Sequence, residues 1–157
     1  MNSKSLLWYN TPNYVTRHLL RMAKTALERL AGAIGYPDGI PDGASDFVFR
    51  VDGGEVHASA SGGRVMLCGK ISGDPDALPQ LASFAPGRML RENAVLAFGD
   101  MAGSQCAFLW QDAPATSDEH VFARLFETFM DSFDWWKARA EAMRGETSEI
   151  PPMMIRP

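Results

Sequence analysis

Hydrophobic positions follow different periods in different parts of the chain. Val15, Leu19, Met22, Ala26, Leu30 and Ile34 recur every three or four residues, the spacing of one helical face, and Leu20, Ala23 and Leu27 broaden that stripe. Thr11-Pro12 reads as an N-cap followed by proline at the first helical position, and Gly35 with Pro37 closes the helix. The stretch "FVFRVDGGEVHASASGGRVMLCGKIS", residues 47–72, has a period of two instead. A two-residue loop at Gly53-Gly54 pairs Val51 with Val56, Phe49 with Ala58 and Phe47 with Ala60. A second at Gly62-Gly63 pairs Ala60 with Val65, Ala58 with Leu67 and Val56 with Gly69. Both turns put Phe47, Phe49, Val51, Val56, Ala58, Ala60, Val65, Leu67 and Ile71 on one face, which predicts a three-stranded meander with one core face. The other face carries Val48, Arg50, Glu55, His57, Ser59, Met66, Cys68 and Lys70. In this register Glu55 lies opposite Lys70, and His57 lies between Arg50 and Cys68.

Asp74-Pro75 or Asp76 opens a middle helix with Leu78, Leu81 and Phe84. Pro79 fits its first turn, whereas Pro86-Gly87 is expected to interrupt it and leave a short turn with Met89 and Leu90. "AVLAFGDMAGSQCAFLWQ", residues 94–111, reads as a hairpin about Ala102-Gly103. Val95, Ala97, Cys106, Phe108 and Trp110 fall on one face, and Leu96, Phe98, Ala107 and Leu109 on the other. A strand apolar on both faces is covered on both, here by helices on one side with another chain as the candidate cover on the other. Ser117 caps a last helix whose Phe122, Leu125, Phe126, Phe129, Met130, Phe133 and Trp136 form a broad stripe. Burying those side chains is worth about 10–20 kcal/mol gross, so this helix must pack on the sheet. Residues 1–144 therefore read as one domain, and 145–157, "GETSEIPPMMIRP", as a proline-rich tail whose Met153, Met154 and Ile155 call for an apolar cover.

Composition narrows the class. With 46% hydrophobic and 22% charged residues the chain is an ordinary globular protein, and no apolar run is long enough for a membrane span. The first residues are too polar for a secretory signal, and Cys68 and Cys106 make neither a disulfide framework nor a CxxC pair, so a reducing cytoplasm is expected. The net charge is −4, although Lys4, Arg17, Arg21, Lys24 and Arg29 face Glu28 alone in the first thirty residues. An acidic body excludes nucleic acid as the main partner, and the basic first helix reads as a solvated face.

Candidate chemistry centres on His57 and Cys68. A Cys-His pair needs a third group orienting the base, and the paired positions offer no Asp or Asn. His18 and His120 have no second ligand at helical spacing, so no metal site is expected. No phosphate loop, GxSxG or HExxH motif is present either. The reading is of a non-enzyme with no cofactor, no metal and no catalytic residue.

The order α-β-β-β-α-β-β-α is α+β with a twisted antiparallel sheet packed by helices. Over about residues 14–140 the chain resembles the class I type III secretion chaperones. The resemblance rests on the amphipathic first helix, "FVFRVDGGEVHA" leading into a third strand, "LASFAPGRMLREN" before a strand, the "FGDMAGSQCAFLW" hairpin and a final helix ending in a tryptophan pair. The prolines at 79 and 86 depart from the smooth middle helix of that family. The resemblance implies a bacterial cytoplasmic homodimer that binds an extended segment of a secreted effector without turnover or membrane insertion. The implied partner-binding residues are Val15, Leu19, Leu20, Val48, Met66 and Cys68. The implied dimer contact comprises Leu78, Leu81, Phe84, Met89, Leu90, Leu96 and Phe98. The competing readings are a binding or regulatory module of the same fold outside secretion, and a small enzyme using His57 or Cys68.

Overall fold

The computed structural model describes residues 14–147 except 53 and 102, with the backbone alone for 14–20, 101 and 145–147. Helix α1 (Tyr14–Ala33) stops where the sequence has Gly35, whose φ of 68° few other residues adopt. The Gly35 N–H donates to the Gly32 carbonyl at 3.2 Å and the Tyr36 N–H to the Ala31 carbonyl at 2.9 Å, closing the last turn as a Schellman motif. Thr11, Pro12 and the tail from residue 148 lie outside the described residues.

Strands β1 (Asp46–Val51), β2 (Gly54–Ser61) and β3 (Arg64–Ser72) form the expected meander. Gly62 and Gly63 both have positive φ, 58° and 75°, as a type I′ turn requires, and the β2–β3 register is the one the sequence predicts. The first hairpin differs. Val51 pairs with Gly54, Phe49 with Val56 and Phe47 with Ala58, two residues away from the expected register. Asp52 takes a turn position at φ 47°, while Gly54 belongs to the strand. Gly54 is needed there for space, because a Cβ on it would stand 2.8 Å from the Phe133 ring. A shift of two residues preserves which side chains share a face, so the inward set survives the wrong pairing.

Helix α2 (Leu78–Met89) runs unbroken through Pro86, contrary to the expected interruption. Pro86 removes the donor for the Ala82 carbonyl, but both residues face solvent, where water satisfies that oxygen. The inward side, Leu81 and Ala85, keeps its packing. Cations from α2 and the last helix interlock across the joint. The Arg88 guanidinium lies 3.9 Å from the Trp135 ring centroid and that of Arg139 4.4 Å from Phe84.

Strands β4 (Val95–Met101) and β5 (Ser104–Pro114) pair from Val95↔Trp110 to Met101↔Ser104, the register expected of this hairpin. β5 then joins β3 in antiparallel fashion, giving one five-stranded sheet of order β1-β2-β3-β5-β4. Helix α3 (Glu119–Thr147) fills the inward face of the sheet. Phe122, Phe129, Phe133 and Trp136 are fully buried, with Phe133 seated against Gly54 and Gly69. Leu27 and Leu30 of α1, with Leu81 and Ala85 of α2, belong to the same core cluster, so all three helices share one side of the sheet.

Candidate functional site

Among the described residues no helix lies on the opposite side. A single row of paired residues crosses all five strands there: Val48 on β1, His57 on β2, Cys68 on β3, Trp110 on β5 and Val95 on β4. The neighbouring rows are Arg50 and Glu55 with Lys70, Phe108 and Ala97 on one side, and Asp46, Ser59, Met66 and Asp112 on the other. Val48 is 41% exposed, and Met66, Cys68, Val95, Phe108 and Trp110 are half-buried with none of them in the core cluster. These side chains make an apolar band over β3, β5 and β4, and His57 on β2 stands between it and Val48. Charges border it: Arg50 pairs with Glu55 at 3.8 Å, and Arg64 is ion-paired to Asp112.

The hairpin residues Val95, Phe108 and Trp110 thus continue the face on which the meander places Val48, Met66 and Cys68. Local pattern did not join them, because the β3–β5 pairing that does so spans the whole of α2. The residues implied for a contact between copies divide by exposure within one chain. Leu81 is 0% exposed and Leu96 5%, so both belong to the chain's own core, and Leu78 is half-buried against it. Phe84, Met89, Leu90 and Phe98 are exposed, Leu90 to 90%. Val15, Leu19 and Leu20 lie on α1, with their side chains outside the described residues. Met22, placed by its spacing in the inward stripe, is exposed and lines a groove of about 480 Å³ with Arg21, Thr25, Arg29, Ala115 and Thr116. Arg29 donates from Nη2 to the Ala115 carbonyl at 2.6 Å, which fixes that wall.

The chemistry of His57 also needs correcting. It lies opposite Val48 rather than Arg50, and its Nε2 is 3.2 Å from Oε1 of Glu55, its same-face neighbour on β2. Glu55 ion-pairs with Arg50 and lies within hydrogen-bond distance of His57, and no ion pair to Lys70 occurs among the described residues. Cys68, His57 and Glu55 nevertheless do not make a nucleophilic triad. No hydrogen bond links the Cys68 thiol to His57 among the described contacts, and burial pushes that thiol above its usual pKa, away from the reactive thiolate. Cys106 is fully buried and donates its thiol to the Ser104 carbonyl at 3.5 Å. No cluster of three or more His, Cys, Asp or Glu side chains among the described residues could hold a metal ion. His57→Ala with Cys68→Ala is therefore expected to cost less than about 1 kcal/mol of stability by denaturant titration, as surface changes do. A larger loss would reveal a structural role for the pair.

No family model matches the chain, and no curated protein matches it. Solved structures do. The HopA1–SchA chaperone–effector complex superposes with a TM-score of 0.59 at 16% identity, over 74% of this chain and 94% of that one. The ExsC–ExsE complex gives 0.59 at 20% identity, over 76% and 94%. YbjN from E. coli, a candidate transcription regulator, gives 0.62 at 10% identity, over 76% and 92%. The likeness is one of fold. No helix among the described residues is long and apolar enough to cross a membrane. The chain has the fold of the class I type III secretion chaperones.

Proposed function

We propose that this protein is a cytoplasmic chaperone that holds an extended segment of a type III secretion effector, without turnover. The observation that carries this reading is the apolar set Val48, Met66, Cys68, Phe108, Trp110 and Val95 on a charge-bordered sheet face that no described helix covers. Apolar groups rimmed by charge suit a binding surface: the apolar part supplies affinity, and the rim keeps the free protein in solution. Val15, Leu19 and Leu20 of α1, on the helical side of the sheet, are proposed as a separate patch for the same segment. Two copies associate through Phe84, Met89, Leu90 and Phe98, the exposed apolar side chains of α2, the residue after it, and β4.

The test is Val48→Asp with Met66→Asp. Each puts a charge into the middle of the band, where central anchors are worth about 2 kcal/mol or more apiece. Capture of the effector encoded beside this gene should weaken by at least about 100-fold, with the melting temperature nearly unchanged. If the double variant unfolds, the face is core and the partner site lies elsewhere.

The fold shared with YbjN favours a second reading, a binding or regulatory module working outside secretion. The gene neighbourhood separates the two. A secretion chaperone is expected beside an effector gene, and co-purification of that effector decides for the first reading.

A further inference from the structure

α3 ends at the end of the sheet where the apolar band begins on the other side. The contacts of Arg88 with Trp135 and of Arg139 with Phe84 set α2 and α3 antiparallel, so the last turn of α3 lies beside the first turn of α2. A short link joins that first turn to the end of β3 at Ser72. Phe108, the member of the band nearest this end, is paired with Lys70. From the helix layer to the outer side chains of a sheet is about 15 Å, or about five residues of extended chain.

Residues 148–157, Ser-Glu-Ile-Pro-Pro-Met-Met-Ile-Arg-Pro, follow α3 and lie outside the described residues. The stretch from Ser148 to Pro152 has the length that crossing requires. Its Pro151-Pro152 pair cannot continue a helix and favours an extended backbone. Met153, Met154 and Ile155 come next, the cluster whose sequence calls for an apolar cover. The row bordering the band on its far side holds Asp46 and Asp112, opposite in sign to Arg156.

We infer that Met153, Met154 and Ile155 dock on the band of their own chain, over Phe108, Trp110 and Cys68, and occupy the partner site until an effector segment displaces them. The inference rests on the reading of the band as a binding surface. Unbranched methionines adapt to an uneven, half-buried surface of this kind. A tethered segment acts at an effective concentration of about 1 mM, so a contact with a Kd of about 0.1 mM keeps it seated about nine-tenths of the time. The free protein is thereby shielded, and a partner with stronger anchors still gains entry.

The test reads Cys68, which is half-buried within the band, whereas Cys106 is fully buried in the core. Alkylation of Cys68 by iodoacetamide in the full chain, followed by peptide mass spectrometry, should run at least about fivefold faster in Met153→Asp with Met154→Asp. The melting temperature should not change. A fluorescein-labelled peptide with the sequence of residues 148–157 should bind that variant about tenfold more tightly than the wild type, whose own tail fills the site. Adding Met66→Asp to the variant should weaken the peptide again. An unchanged alkylation rate, or equal binding of the peptide by the two proteins, would overturn the inference. So would loss of the protection in Leu90→Asp with Phe98→Asp, which separates the copies, because the tail on the band would then be a neighbour's. No effector enters these measurements, so a tail found on the band stands even where effector capture fails. Capture of an effector by a band that no tail covers would leave the proposed function standing alone.

Discussion

Replacing Gly69 by alanine should destabilise the protein, and replacing it by valine should do so more severely. A Cβ at this position would stand 2.4 Å from Cε2 of Phe133 and 2.9 Å from its Cζ. Phe133 is 1% exposed and stacks on Phe129 with ring centroids 5.6 Å apart, so the ring has no room to withdraw. Overpacking of this kind costs about 1–3 kcal/mol, more than alanine returns by stiffening the unfolded chain. For a chain of this length that is a fall of about 2–12 °C in melting temperature, with valine at the upper end or beyond. The cause can be isolated by a double-mutant cycle. Phe133→Leu alone leaves a void and destabilises, but in the Gly69→Ala background it removes the clash, so the pair should lose less than the sum by about 1 kcal/mol. Strict additivity would mean that Gly69 is required for a reason other than this ring.

The other large effect concerns association. Phe98→Asp and Leu90→Asp, separately and together, should convert a dimer into a monomer. Both side chains are exposed, Phe98 to 42% and Leu90 to 90%, so neither charge is forced into the core and the melting curve of the monomer should remain cooperative. A carboxylate placed in an apolar contact loses its hydration without gaining a partner, which costs several kcal/mol at most sites. Light scattering at micromolar concentration should give twice the chain mass of 17.2 kDa for the wild type and the chain mass for the double variant. A monodisperse wild-type monomer would sink the proposed dimer.

Sheet faces were legible in the sequence, while pairing was legible only in places. The Gly62-Gly63 register came out right because both residues do what a type I′ turn asks of glycine. The Gly53-Gly54 register did not. Aspartate is one of the few other residues that tolerates φ near 47°, so Asp52 could take a turn position, and Gly54 was needed in the strand under Phe133. That demand comes from a residue almost eighty positions later, beyond any local pattern. Pro86 misled for a similar reason. Its cost in a helix depends on whether the orphaned carbonyl meets water or protein, and burial of Leu81 and Ala85 on the inward side settles that it meets water. Of the candidate site, Val48, Met66 and Cys68 were readable as an outward set from alternation alone. Phe108 and Trp110 were readable as a face of their own hairpin, but not as part of the same surface.

The sheet order has a consequence for how the chain folds. The meander and the second hairpin are local and can form early, but the sheet closes only when β3 meets β5, as in Arg64↔Pro114, across the whole intervening α2. The inward face of the meander then waits longer still. Its filling, Phe133 and Trp136, arrives with the last helix, after every strand has left the ribosome. Until α3 is made, the nascent chain has only α1 to shield Val56, Val65 and Leu67 on one side, and the apolar band is bare on the other. Collapse of the strands onto one another in that interval is the hazard that synthesis of this protein must outrun.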